Sequence, residues 1–270
     1  MEGDSVNNIL RTFVGLSITA SVSILAADHV LHIKVLPTAQ QQLAASRVLM
    51  SEVGMYPLDQ REKIQIAAAT AYGSLEAVAR RWPNDAAAIT EADVLEGRLL
   101  TGPLVRDFVT AEQVARRGLA RAGGRAQAAL LYRTLGQALQ GLQRPVEAEQ
   151  AFRSAENHGR LKDLDPVEQM SIYYATGQFF DERQDPKEAA KHYRAAAHLG
   201  DMPELVRMNL ILIALERSAT ADLPAAKLDL GELEGLLAAS RQKNYSNPAD
   251  LASLRICEAT VVKFRKKLGR

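Results

Sequence analysis

A single cysteine, Cys257, stands in 270 residues. One thiol can form neither an internal disulfide framework nor a cysteine-based zinc site. Aromatic residues are scarce, at 5%, too few for a platform on which bases could stack or for a large apolar ligand pocket. Charge of one sign is missing too: 33 Lys and Arg against 32 Asp and Glu leave a net charge of +1. Such a chain has no global field to draw in a polyanion, so no nucleic-acid partner is expected. It also holds no phosphate loop, dinucleotide fingerprint, nucleophile elbow or metalloprotease helix. The expectation is a non-enzyme without catalytic residues, cofactor, metal or small-molecule substrate. Hydrophobic residues at 47% and charged residues at 24% are ordinary for a globular chain.

The residues that carry chemistry elsewhere have plain readings here. His29 and His32 follow Asp28 three apart and read as interfacial polar residues rather than metal ligands. No acid stands at motif spacing from His158, His192 or His198, and a surface position is expected for each. Cys257 lies in "LASLRICEAT" with Leu251, Leu254 and Val261 near one helical face, the pattern of a small buried residue. The closing "KFRKKLGR" reads as a solvated helix end whose cations complement the dipole. An acidic lipid or an acidic patch on a partner is the sharper alternative for it.

What the chain does have is punctuation. Prolines stand at 37, 57, 83, 103, 145, 166, 186, 203, 224 and 248, mostly about twenty residues apart, and proline ends helices or opens them. Gly123-Gly124 breaks the one double gap. Asp165-Pro166, Asp185-Pro186 and Asn247-Pro248 each put a capping side chain before a proline at the first helical position. Between the marks lie strong helix formers, Ala, Leu, Glu, Gln, Arg and Lys. An all-α chain of about ten helices joined by short loops follows.

Inside the punctuation is a repeat. "YRTLGQALQGLQRPVEAEQAFRSA" presents Tyr132, Leu135, Gly136, Leu139, Ala148, Phe152 and Ala155. "YYATGQFFDERQDPKEAAKHYRAA" presents Tyr173, Thr176, Gly177, Phe180, Ala189, Tyr193 and Ala196 at the same internal spacings. The pattern resembles the tetratricopeptide repeat. The resemblance implies a right-handed superhelical stack of antiparallel helix pairs, a TPR-like α-solenoid. It assigns repeat packing to Tyr132, Gly136, Ala148, Phe152, Tyr173, Gly177, Ala189 and Tyr193. It also implies a concave groove lined by the first helix of each pair, holding a partner segment against Arg133, Gln137, Gln140, Tyr174, Gln178 and Asp181. Leu130 and Ser171 share those helix faces. The copies start 41 residues apart rather than the family's 34, with the surplus assigned to a longer loop and an extra turn on the following helix. Ala115, Leu119 and Ala122 repeat the second-helix spacing as a degenerate half-repeat.

Residues 1–37 stand apart. "FVGLSITASVSILAA", Phe13 to Ala27, carries no charge; with Ile9 and Leu10 the stretch reaches the length of a short membrane span. A single membrane-anchor helix over residues 9–27 is the first expectation. Its start carries Glu2 and Asp4, unlike a cleaved signal peptide. Val14, Leu16, Ile18, Ala20, Val22 and Ile24 also alternate with small or polar residues as in a strand, but no second strand is evident to pair with it. Gly15, Thr19, Ser23 and Ala27 form a small-residue stripe of the kind on which membrane helices pack. Arg11 before the span against Lys34 and Arg47 after it tilts the repeat domain toward the cytoplasmic side by one charge, and both sides stay open.

The organisation expected is a tail and anchor over 1–37, divergent hairpins over 38–128, two TPR-like repeats over 129–203 and capping helices over 204–270. The function expected is a non-catalytic protein-protein interaction scaffold or assembly factor. It would be single-pass in a bacterial inner membrane, with protein partners in a membrane complex. The alternative is a soluble or peripheral regulatory subunit of a membrane or polysaccharide-export complex, with residues 1–37 buried against a partner.

Overall fold

A computed structural model describes residues 37–53, 60–159, 164–200, 202–241, 243 and 245–269. Among them are eleven α-helices and no strand, so the described residues are all-α as expected, close to the ten or so helices that the punctuation suggested. The helices are α1 (Ala39–Val53), α2 (Arg61–Arg81), α3 (Ala86–Thr101), α4 (Phe108–Arg121), α5 (Arg125–Gly141) and α6 (Pro145–Gly159). They continue with α7 (Pro166–Glu182), α8 (Pro186–Ala197), α9 (Glu204–Ala221), α10 (Leu223–Ser240) and α11 (Pro248–Leu268). The anchor expected over residues 9–27 lies outside the described residues. No described helix is long and apolar enough to cross a membrane.

The helix starts follow the caps. Asp165 Oδ1 accepts from the Val167 amide at 2.8 Å and Asp185 Oδ1 from the Glu188 amide at 3.1 Å, satisfying amides that a helix N-terminus leaves without partners. Asp85, Asp107 and Asp222 cap α3, α4 and α10 in the same way. Gly123-Gly124 separates α4 from α5 as expected.

The two repeat copies turn alike. Gln143 after α5 has φ 60° and Gln184 after α7 has φ 59°, both in the left-handed region that ends a helix. The next amide then reaches back five residues in each copy: Arg144 N to Leu139 O at 2.9 Å, and Asp185 N to Phe180 O at 3.0 Å. α5 and α7 also start at equivalent points, seven residues before Tyr132 and Tyr173.

The chain divides between Ala148 and Glu149 into two compact units, and the division falls within α6. In the first unit each helix packs on the next from α1 to α5, and α1 meets α3 as α3 meets α5. Alanine dominates the contacts: Ala67, Ala68, Ala71, Ala88 and Ala92 are buried beside Leu75, Val78 and Leu99. In the second unit α7 packs on α8, α8 on α9, α9 on α10, and α11 on both α9 and α10. Here rings carry the core. Phe152 and Phe179 are fully buried with centroids 5.2 Å apart.

Gly177 shows why the repeat keeps a glycine. A Cβ there would meet Tyr193 Cε1 at 2.8 Å, so the Tyr193 ring of α8 lies directly on the α7 backbone. Gly136 is likewise buried on α5. In the first unit Gly97 of α3 plays the same part for α5, since a Cβ there would meet Thr134 Cγ2 at 2.5 Å.

Several of the hydrogen bonds that tie one part of each unit to another span 32 to 36 residues of sequence. In the first unit they join Gln42 to Ser74 (32 residues), Thr101 to Gln137 (36) and Glu112 to Arg144 (32). In the second they join Glu149 to Arg183 (34), Asp181 to Arg217 (36), Arg194 to Asp229 (35) and His198 to Glu232 (34). Three of them, Thr101–Gln137, Asp181–Arg217 and Arg194–Asp229, link a helix to the one two further along.

Candidate partner-binding face

Of the six groove residues expected from the repeat, three lie in each unit. In the second unit Tyr174 and Asp181 are half-buried and Gln178 is exposed, at i, i+4 and i+7 on α7. That spacing puts the three side chains on one helix face. The Tyr174 ring lies 5.6 Å from that of Tyr193, itself buried on α8. Asp181 is fixed from both sides: Tyr193 Oη donates to Oδ2 at 2.9 Å and Arg217 Nε of α9 donates to Oδ1 at 2.6 Å. Burial, and then the hydrogen bond to Asp181, push the Tyr193 hydroxyl well above the usual tyrosine range. It therefore stays a donor, and Asp181 cannot leave this position without stranding it. The face is thus pre-set, with Gln178 left as its free polar group.

In the first unit the equivalents sit differently. Arg133, at the repeat position of Tyr174, is 5% exposed, so its guanidinium belongs to the interior. Gln137 is half-buried and accepts from Thr101 Oγ1 at 3.3 Å, and Gln140 is half-buried. Beside them α3 approaches α5 closely, Gly97 lying against Thr134, and Thr101 of α3 reaches Gln137.

A separate cleft of about 390 Å³ opens where α6, α7 and α8 meet. Phe152, Phe180 and Thr176 line it with Glu156, Glu188 and His192. Tyr174, Gln178 and Asp181 do not line it. His192 corrects an expectation: it is 8% exposed rather than a surface residue. Its ring stacks on Phe180 at 5.2 Å, and Nδ1 lies 2.7 Å from Glu156 Oε1. A helix packed between two others buries more than one stripe, and residue 192 falls on the second. His198 is exposed as expected and pairs with Glu232 at 2.9 Å. Cys257 is buried, and burial with the nearby Glu258 pushes its thiol up to about 11, far from a nucleophile's range.

Sequence reasoning missed the most perturbed cluster of all. Asp93 and Glu96 of α3 are each 2% exposed. Arg117 of α4 donates to Asp93 Oδ1 at 2.6 Å and to Glu96 Oε2 at 3.0 Å, and Arg121 to Asp93 Oδ2 at 3.1 Å. Burial pushes Glu96 up to about 7; Asp93 and Glu76 push the same way, while Arg117 and Tyr72 oppose them. Tyr72 rises well above its usual range by burial and by the Glu96 charge. An acid pair three apart on one helix and an arginine pair four apart on the next were the available signal. Both carboxylates are sealed from solvent, so the cluster joins α3 to α4 and offers no group to a ligand. Among the described residues, no three His, Cys, Asp or Glu are grouped to hold a metal ion.

Each unit is thus a set of sequentially packed helices. The fold of the chain is similar to that of BtubC (BKLC) from P. vanneervenii, known from a crystal structure, with a TM-score of 0.52 over 79% of this chain and 96% of that one. Sequence identity is 15%, so the likeness is one of fold alone. No protein-family model matches the chain. No curated protein matches it in sequence.

Proposed function

We propose that this chain is a non-catalytic helical-repeat scaffold or assembly factor that binds a partner segment on the α7 face at Tyr174, Gln178 and Asp181. A single apolar segment over residues 9–27 holds it at a membrane. One observation carries the reading. The two sequence copies of the TPR-like repeat share the same left-handed turn at Gln143 and Gln184, beside cross-helix bonds of 34 to 36 residues in the second unit. Repeats of this kind cannot bury their own apolar faces and gain stability by stacking, which leaves an extended face for partners. The face suits adhesion, since an exposed amide and a half-buried tyrosine lie over a carboxylate already locked in place. Membrane tethering raises the local concentration of partners in the same membrane.

Carbonate extraction of membranes carrying the full chain, beside a form lacking residues 1–37, tests the tether. Retention of the full chain in the pellet with release of the shorter form is expected. Release of both contradicts the tether and leaves the α7 face to be tested by itself.

A further inference from the structure

α10 and α11 enclose a groove of about 510 Å³ on the second unit. Leu237 and Val261 form its buried floor, and Ala238, Ala259 and Val262 its walls. Arg241 reaches Glu258 at 3.1 Å and Arg265 reaches Glu234 at 2.6 Å, so both lining carboxylates are already paired. Arg255 stands on the rim with no ion pair among the described residues. α11 buries Cys257, Val261, Phe264 and Leu268 along one stripe. A surface helix is ordinarily polar opposite such a stripe. α11 instead leaves Ile256 58% and Val262 67% exposed, interleaved with Arg255, Lys263 and Lys266, and the one acid in that stretch, Glu258, is the carboxylate already paired with Arg241.

We propose that the groove between α10 and α11 is a docking site for an amphipathic, acid-flanked helix of a partner protein. Three features select that occupant. Residues 255 to 265 of α11 span about 15 Å of groove at the helical rise, which matches three turns of a partner helix. Ala238 and Ala259 let its backbone approach closely where larger walls would hold it off. The uncompensated charge is positive, from Arg255 with Lys263 and Lys266 beside it, and covering it without carboxylates would be costly. A flat anionic lipid surface fits the concavity poorly and would desolvate Glu234 and Glu258. The proposal rests on α10 and α11 alone and stands whether or not the α7 face or the membrane tether does.

The test uses the full chain and a labelled synthetic peptide of about 18 residues, long enough to be helical. Leucines lie at i, i+3, i+4 and i+7 with glutamates on both flanks. Controls replace the glutamates by lysines or scramble the leucines. Fluorescence anisotropy is expected to show binding of the acidic peptide alone, weakened about tenfold or more by Arg255→Glu and by Ala259→Trp. Both positions are exposed, and unchanged circular dichroism shows that the variants fold. Equal binding of the lysine peptide, or wild-type binding by both variants, overturns the proposal. So does a concentration-dependent dimer abolished by Ala259→Trp, which makes a second copy of the chain the occupant. Flotation with anionic but not neutral vesicles, lost in Arg255→Glu while the peptide fails to bind, overturns it in favour of lipid.

Discussion

In the first unit two buried carboxylates, Asp93 and Glu96, are reached by arginines that are themselves exposed; in the second a tyrosine hydroxyl, a histidine ring and Asp229 lie buried among packed aromatic rings. Both regions pack each helix on the next, yet they solve the interior differently. Small alanine contacts bring α3, α4 and α5 close but leave Asp93 and Glu96 out of water, and Glu96 keeps a proton near neutrality as a result. The second unit spaces its helices with rings, and its buried acid is shared neatly: Asp229 accepts from Arg194 at 2.6 Å and from Ser218 at 2.7 Å.

The comparison can be broken most forcefully at a ring. Phe152→Ala empties a fully buried site against Phe179 and should lower stability by about 3–5 kcal/mol. Urea unfolding followed by far-UV circular dichroism measures it. A loss below about 1 kcal/mol would mean that the ring pair does not hold the second unit.

The next test separates the units by pH. Folded, Glu96 binds its proton up to about pH 7; unfolded, it releases it near its ordinary 4.5. The folded state therefore holds more protons between those values, and stability falls as pH rises through that window, by up to about 3 kcal/mol from this group. Glu96→Gln should remove that fall and stabilise the chain at pH 8. Trp82, the only tryptophan, packs beside Leu75 and Val78 in the first unit and reports it directly. Its emission during urea unfolding at pH 5 and pH 8 is the readout. Parallel slopes in wild type and variant would remove Glu96 from the explanation.

Two glycine substitutions make the smallest changes and differ in sign. Gly177→Ala drives a methyl into the Tyr193 ring, which cannot swing aside while its hydroxyl holds Asp181; a loss of about 1–3 kcal/mol is expected. Gly235→Ala, inside α10 with nothing within 4 Å, should gain about 0.5–1 kcal/mol from helix propensity. Thermal melts of the two variants check both, and a destabilising Gly235→Ala would show an unseen neighbour at that surface.

The helices were legible because their limits are local. Asp-Pro caps and the Gly123-Gly124 break act through the backbone within a few residues, and the structure begins and ends helices there. The ring and glycine positions of the second copy were legible as well, since Gly177 and Tyr193 meet within one hairpin. Arg133 was not. Its burial is made by whatever packs on α5 and not by α5 itself, so no local pattern announces it. The charges of Asp93 and Glu96 were hidden for the same reason, because a carboxylate's environment is made by the helix that packs on it. His192 shows a third case, where being the middle of three packed helices buries a second stripe that a one-sided periodicity leaves outside.

The most direct test of the α7 face is purification of the full chain with its bound proteins from its native cells, wild type beside Tyr174→Ala/Gln178→Arg. An exposed control, Leu228→Ser on α10, accompanies them. With helicity and melting matched among the three, a defined set of co-purifying proteins should fall about tenfold or more in the α7 variant and persist in the control. An unchanged set at unchanged yield would contradict the proposal that this face holds the partner.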